Sequence, residues 1–298
     1  MPVKKEPEKF MVVAKNEAMR SKMPYSLEEQ KLAGVIISRV HPFKNKGFQE
    51  MDFETKVLLG LLRIHENNYK YLYTATEGLL KKPITIRNEE NGTTLQANII
   101  SSALYSDDKS VVVFSIDPKM SPYLLELQKG GYTQFYLTNI LGLESKYSIS
   151  MYRFLKSFEF QKCVTKSIEE FKFSLGIEPD EYKNFAHLKM RVLDVAQQEL
   201  AEKTDVRFKY TPGKKGKKVI SLTFTINWNP DNITRLNQLK TVISLKEKDL
   251  AENKKELEKV KAQGKSAPAL SRDGLTPEQI HEEVIKSLKI KADGELPL

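Results

Sequence analysis

The sequence predicts an α+β fold of two tandem winged-helix domains, each a helix-turn-helix closed by a β-hairpin wing, followed by a charged C-terminal helix and tail. Three observations predict it. Between Asn184 and Lys203, the residues Phe185, Leu188, Val192, Leu193, Ala196 and Leu200 recur at three- and four-residue steps. They form the single apolar stripe of a helix lying on a core. A shorter helix over Ser167–Leu175 precedes it and stops at Gly176, a residue free to take the left-handed backbone that suits a chain reversal. After the long helix, Val206, Phe208 and Tyr210 alternate with Arg207 and Lys209 at the two-residue period of a strand. The chain then turns at Pro212-Gly213-Lys214-Lys215-Gly216-Lys217-Lys218. Short helix, turn, basic helix and lysine-tipped hairpin, in that order, fit a reader of the DNA major groove.

The elements follow in order. Residues 1–9 are charged and contain proline, the composition of a mobile tail. Phe10-Met-Val-Val13 begins a strand or a helix edge. Ser26-Leu-Glu-Glu29 is a capping box, and the helix it opens carries Leu32, Val35, Ile36 and Val40 and ends before His41-Pro42. Phe43–Met51 reads as a loop. Asp52–Ile64 reads as a second helix burying Val57, Leu58, Leu61 and Leu62. Asn67 and Asn68 are candidate caps for a third, Tyr69–Leu80, which Pro83 stops. Strands follow over Ile84–Arg87, Leu95–Tyr105 and Val111–Ile116, with turns at Asn88–Gly92 and Ser106–Lys109. The first half therefore also runs helices before hairpin, a repeat of architecture rather than of sequence.

Asp117-Pro118 and Gly130-Gly131 punctuate the middle of the chain, with a short helix over Pro122–Leu127 between them and Tyr132–Leu137 leading onward. The expected division is 10–130, a first winged-helix domain, 131–230, a second, and 231–298, a charged extension. In that extension Ile233–Lys261 reads as a charged helix, residues 263–273 as a linker and Thr276-Pro277-Glu278-Gln279 as a capping box opening a short amphipathic helix.

Several segments carry a family resemblance. These are Tyr147-Ser-Ile-Ser-Met-Tyr-Arg-Phe-Leu155, Phe173-Ser-Leu-Gly-Ile177, Phe185 with Leu188-Lys-Met-Arg-Val-Leu193, Glu199-Leu200 with Lys203-Thr-Asp205, and the Gly-Lys-Lys hairpin. In this order they resemble the Rep_3 superfamily of plasmid replication initiators, over about residues 8 to 230. The resemblance implies two winged-helix domains and binding to repeated origin sequences (iterons). It also implies a first domain that serves DNA binding and dimerisation, and recruitment of host replication proteins, an initiator and a helicase.

Composition agrees. The 298 residues carry a net charge of +9 and a pI near 9.2, which favours a polyanionic partner. Cys163 is the only cysteine, so an intrachain disulfide and a cysteine-rich zinc site are excluded, and a small core residue is its expected role. No apolar run reaches the roughly 18 residues of a membrane span, and the first ten residues lack an apolar signal core. A cytoplasmic protein without membrane contact is expected.

Catalytic patterns are missing from the chain. Gly264-Lys265-Ser266 ends like a phosphate-binding loop, but Lys259 stands where that loop requires glycine. His41, His65, His187 and His281 include no His-x-His pair for a metal-dependent nickase. Asp107-Asp108 is a turn signal. No cofactor, metal or catalytic residue is expected.

The candidate DNA-binding residues are Lys183, Asn184, His187 and Arg191 at the groove, and Lys189 with wing lysines Lys214, Lys215, Lys217 and Lys218 at phosphates. Arg207 and Lys209 on the hairpin, and Lys70, Lys81, Lys82 and Arg87 in the first half, complete the set. Arginine can read guanine and asparagine adenine by paired hydrogen bonds, whereas lysine holds phosphate. Two states are expected, a homodimer and DNA-bound monomers. The alternative reading is a winged-helix transcriptional repressor without origin function.

Overall fold

The computed structural model describes residues 11–230 and 232, apart from 41, 43–46, 49, 66–67, 89–90 and 128–130. The expected N-terminal tail and the charged helix, linker and terminal helix after residue 232 lie outside the described residues.

The first half opens with strand β1 (Met11–Lys15), paired antiparallel with β7 (Tyr132–Tyr136), Met11 opposite Tyr136. The segment expected to lead onward thus returns to the start of the chain, across the 130/131 junction. Helix α1 (Asn16–Met19) follows. Helix α2 (Leu27–Ser38) has the expected capping box: Glu29 N–H donates to Ser26 Oγ (3.2 Å), and Ser26 N–H to the Glu29 carboxylate (2.9 Å). Helix α4 (Tyr69–Lys81) starts at Asn68, whose side chain accepts from Tyr71 N–H.

Two expectations in this half are corrected. Asp52–Ile64 is not one helix: Met51–Glu54 is strand β2, paired with β6 (Val111–Ile116), and helix α3 covers only Thr55–Leu61. Phe53 decides this. As a strand residue it points inward and meets the Phe114 ring edge-on at 5.6 Å, while Asp52 and Glu54 face solvent. Val57, expected in the core, is exposed. The second correction is to Leu95–Tyr105, which divides into β4 (Thr94–Ala97), paired with β3 (Ile84–Arg87), and β5 (Ile100–Tyr105), paired with β6. Asn98 marks the break and donates from Nδ2 to the Leu80 carbonyl at 2.8 Å. Short helices α5 (Ser121–Leu124) and α6 (Thr138–Leu141) complete the half.

Helix α7 (Lys146–Lys156) is buried from Tyr147 to Lys156 and packs against α2 on one side and the second half on the other. Strand β8 (Cys163–Ser167) is absent from the sequence expectation; it forms the edge of a sheet ordered β8-β10-β9, with the hairpin β9 (Val206–Lys215) and β10 (Lys218–Trp228). Cys163 is exposed on that edge, which corrects its expected core role. Phe154, Phe171, Phe208 and Phe224 pack between helices and sheet with ring centroids 5.3–6.0 Å apart.

The halves share one apolar core running from Val12 to Ile226. At their junction Gly176 takes φ +70°, and a Cβ there would overlap the Met23 carbonyl oxygen. Nearby, Lys22 and Glu178 pair at 2.6 Å, and the Arg87 guanidinium stacks 3.8 Å over the Phe173 ring.

Candidate nucleic-acid interface

The expected helix-turn-helix of the second half is present. Helix α8 (Ile168–Ser174) begins with a capping box between Ser167 and Glu170 and ends at Gly176. Lys172 fixes the turn. It is buried, and its Nζ donates to the carbonyls of Pro179 (3.2 Å) and Glu181. Glu181 in turn accepts from Glu178 N–H at 2.9 Å. A buried ammonium held by carbonyls costs little only while those acceptors stay in place, so it disfavours any other shape of this turn.

The reading helix starts at Asn184, whose side chain caps it by accepting from Ala186 N–H at 2.9 Å. It runs as α-helix over Phe185–Leu188, as a π turn over Lys189–Leu193 and as α-helix again over Asp194–Lys203. Leu188, Val192, Leu193, Ala196 and Leu200 are buried, as the stripe predicts. Val192 and Leu193 are consecutive and both face the core, as a helical apolar stripe of ordinary width allows.

Opposite them, Lys183, Asn184, His187, Met190 and Arg191 are exposed on one element. Lys189 is exposed too, but its Nζ grips Asp194 at 2.7–2.8 Å, and this hydrogen bond raises the lysine pKa. Tyr210 on β9 donates to the same carboxylate at 3.2 Å; burial, and then Asp194, raises its pKa. Gln197 donates to the Phe208 carbonyl at 2.9 Å. These contacts set the helix against the wing.

At the wing tip Lys214, Lys215, Lys217 and Lys218 are exposed around Gly216, which has φ +61°. None of the four forms an ion pair among the described residues. Arg207 and Lys209 are exposed on the sheet face opposite the one that Val206 and Phe208 turn to the helices. The structure therefore brings the groove candidates together on one helix, gathers the wing lysines at one tip and sets these two apart.

The first-half candidates are dispersed. Lys70 is exposed at the start of α4, and Lys81 pairs with Glu77 one turn earlier at 2.6 Å. Lys82 closes on the buried Glu29 at 2.7 Å, and Arg87 lies on Phe173. Among the described residues no three His, Cys, Asp or Glu gather as metal ligands, and no helix is long and apolar enough to cross a membrane.

Two family models match in succession: the initiator replication protein WH1 domain over residues 11–156, and the initiator Rep protein WH2 domain over residues 167–226. Together they take in well over half of the chain. It belongs to the Rep family of plasmid replication initiators. The architecture of this initiator is accordingly two tandem winged-helix domains, a mixed helix and sheet fold.

The crystal structure of Pi initiator protein in complex with iteron DNA matches with a TM-score of 0.60 and 22% identity, over 75% of this chain and 99% of that one. The WH1 domain of MSBI1.176, a replication protein isolated from a multiple sclerosis patient, matches with a TM-score of 0.25 and 18% identity, over 34% of this chain and 79% of that one. No curated protein matches significantly.

Sequence reasoning missed Lys172, Asp194 and Met190. Lys172 acts on carbonyls of a turn, and Asp194 joins Lys189 on its own helix to Tyr210 on a strand, contacts that residue type alone does not signal. Met190 was visible as an apolar residue off the stripe.

Proposed function

We propose that this initiator binds repeated origin DNA, the iterons, through the second winged-helix domain. The exposed face of the reading helix enters the major groove, and the four wing lysines follow the phosphate backbone. The observation that carries this reading is the juxtaposition of that face with an unpaired lysine tip on the adjoining hairpin. The Pi initiator, of like fold, is held on iteron DNA in its crystal structure, which supports the reading.

The mechanism is non-enzymatic. Copies on adjacent repeats destabilise neighbouring duplex, where deformable steps open at lower cost, and recruit the host initiator and helicase. The first domain adds auxiliary phosphate contacts through Lys70 and Lys81 and carries part of a homodimer interface, while monomers occupy the DNA. The site of action is the cytoplasm.

The test is binding to a labelled duplex bearing the direct repeats beside the gene, against a scrambled duplex, across a salt series. The expected result is a steep slope with strong preference for the repeats. Replacing the four wing lysines with alanine flattens the slope by about 0.9 per lost phosphate contact and weakens both duplexes alike. Equal affinity for the two duplexes with the native chain would overturn the reading.

A further inference from the structure

The middle of the reading face is apolar. The core line of the reading helix passes through Leu188, the pair Val192 and Leu193, and Ala196. Residues at four-residue steps on the opposite side are Ala186, Met190, Asp194 and Gln198. Met190 stands two residues after Leu188 and two before Val192, which puts it on the opposite side of the helix from that buried pair. Met190 is 57% exposed. Ala186, also exposed, lies one turn towards the N-terminus, the end of a reading helix that goes deepest into the groove. His187 and Arg191 flank this two-residue strip on one side, and Lys189, paired with Asp194, lies on the other.

The chemistry of the groove then decides what the strip can read. The base edges in the major groove are read mainly through hydrogen-bond donors and acceptors, and the one apolar group that projects from them is the C5-methyl of thymine. A thioether side chain makes no strong hydrogen bond, but it is long, polarisable and able to adapt its three torsions to a small apolar group. An arginine or asparagine at this position would read guanine or adenine instead.

We infer that Met190, with Ala186 beside it, reads a thymine through its methyl group. Met190 is thus a specificity-determining residue of the initiator, and the flanking His187 and Arg191 read neighbouring polar edges. The inference rests on the reading helix lying in the major groove, as proposed above.

The test begins by enriching a preferred duplex from a random pool with the full native chain. Each thymine of that duplex is then replaced in turn by deoxyuridine, which removes the methyl and leaves every hydrogen-bonding group in place. Affinities are measured for the native chain and for Met190→Ala, a substitution that an exposed helical position tolerates. At one or two positions the native chain is expected to lose about fourfold, the worth of burying one methyl-sized group. Met190→Ala is expected to show no loss at those same positions, and Met190→Leu to keep it. A preferred duplex with no methyl-sensitive position, or with equal sensitivity in native chain and Met190→Ala, overturns the role of Met190 alone. A pool that yields no preferred duplex overturns the DNA reading, and this inference with it.

Discussion

The two winged-helix domains use their positive charge differently. In the second domain, Lys183 just before the reading helix, His187 and Arg191 on it and four lysines on the wing face solvent without a carboxylate partner among the described residues. In the first domain the corresponding charges hold the fold. Lys82 neutralises buried Glu29, Lys81 pairs with Glu77, Lys22 with Glu178, and Arg87 covers Phe173. The hairpin tips differ as well: Gly213–Lys218 is basic, whereas the β5–β6 turn carries Asp107 and Asp108. Asp108 accepts from Ser106 and Ser110, and these hydrogen bonds hold its pKa down to about 2. One architecture thus appears once with its cations gathered and displayed, and once with most of them engaged in internal contacts and Lys70 left exposed on α4.

The contrast can be tested where the domains meet. Gly176→Ala forces a left-handed backbone on a residue with a Cβ and drives that atom into the Met23 carbonyl. Strain and overlap together are expected to cost on the order of 3–4 kcal/mol, read as a lower denaturant midpoint. A loss this large would show that the turn and the first domain unfold as one unit. A loss near 1 kcal/mol would mean that the junction yields and the domains are mechanically separate.

A smaller effect is expected from Lys31 on α2. Burial, with Arg63 nearby, lowers its pKa to about 8, against the pull of Glu28, Glu144 and Glu199. The folded-state value lies below that of the unfolded chain, so between about pH 8 and 10.5 the unfolded chain binds more protons and stability rises with pH. Lys31→Met removes that rise. Subtracting its stability profile from the native one should leave a climb on the order of 2–3 kcal/mol across this window. A flat difference would place Lys31 in water.

Particular residues show what the sequence could and could not reveal. The reading helix and its turn were legible because an apolar stripe and Gly176 are local signals. The wing was legible because strand alternation and a Gly-Lys turn adjoin. Strand β8 was not: Cys163-Val-Thr-Lys-Ser167 is short and mostly polar, and pairing with β10, some 60 residues later, makes it a strand. The π turn was hidden too, since adjacent Val192 and Leu193 fit an ordinary stripe. The first-domain candidates misled for a related reason. Lys82 meets Glu29 across 53 residues, and Arg87 meets a ring in the other domain; nothing local distinguishes such a cation from one that awaits a phosphate.

Lys82 allows the comparison to be sharpened further. Glu29 is 7% exposed and Lys82 42%. Lys82→Met leaves a buried carboxylate that accepts, among the described residues, from Ser26 N–H, while water still reaches from the lysine side. The expected cost is about 1–2 kcal/mol of stability, with the salt slope of DNA binding unchanged. A flattened slope at unchanged stability would transfer Lys82 to the DNA surface.

The smallest effects are expected from Lys70→Ala and Lys81→Ala. Both side chains are exposed on α4, and the Lys81–Glu77 pair is of the surface kind that contributes a few tenths of a kcal/mol. Neither change should move the unfolding midpoint measurably. If the first domain touches the backbone, each lowers the salt slope by up to about 0.9, equally on repeat and scrambled duplex. If the slope stays put for both while the wing variant flattens it, the first domain makes no phosphate contact through α4. Its share of the work is then to hold α8 and the reading helix in place through Lys22, Met23 and Arg87, and the charge on α4 serves only its own helix face.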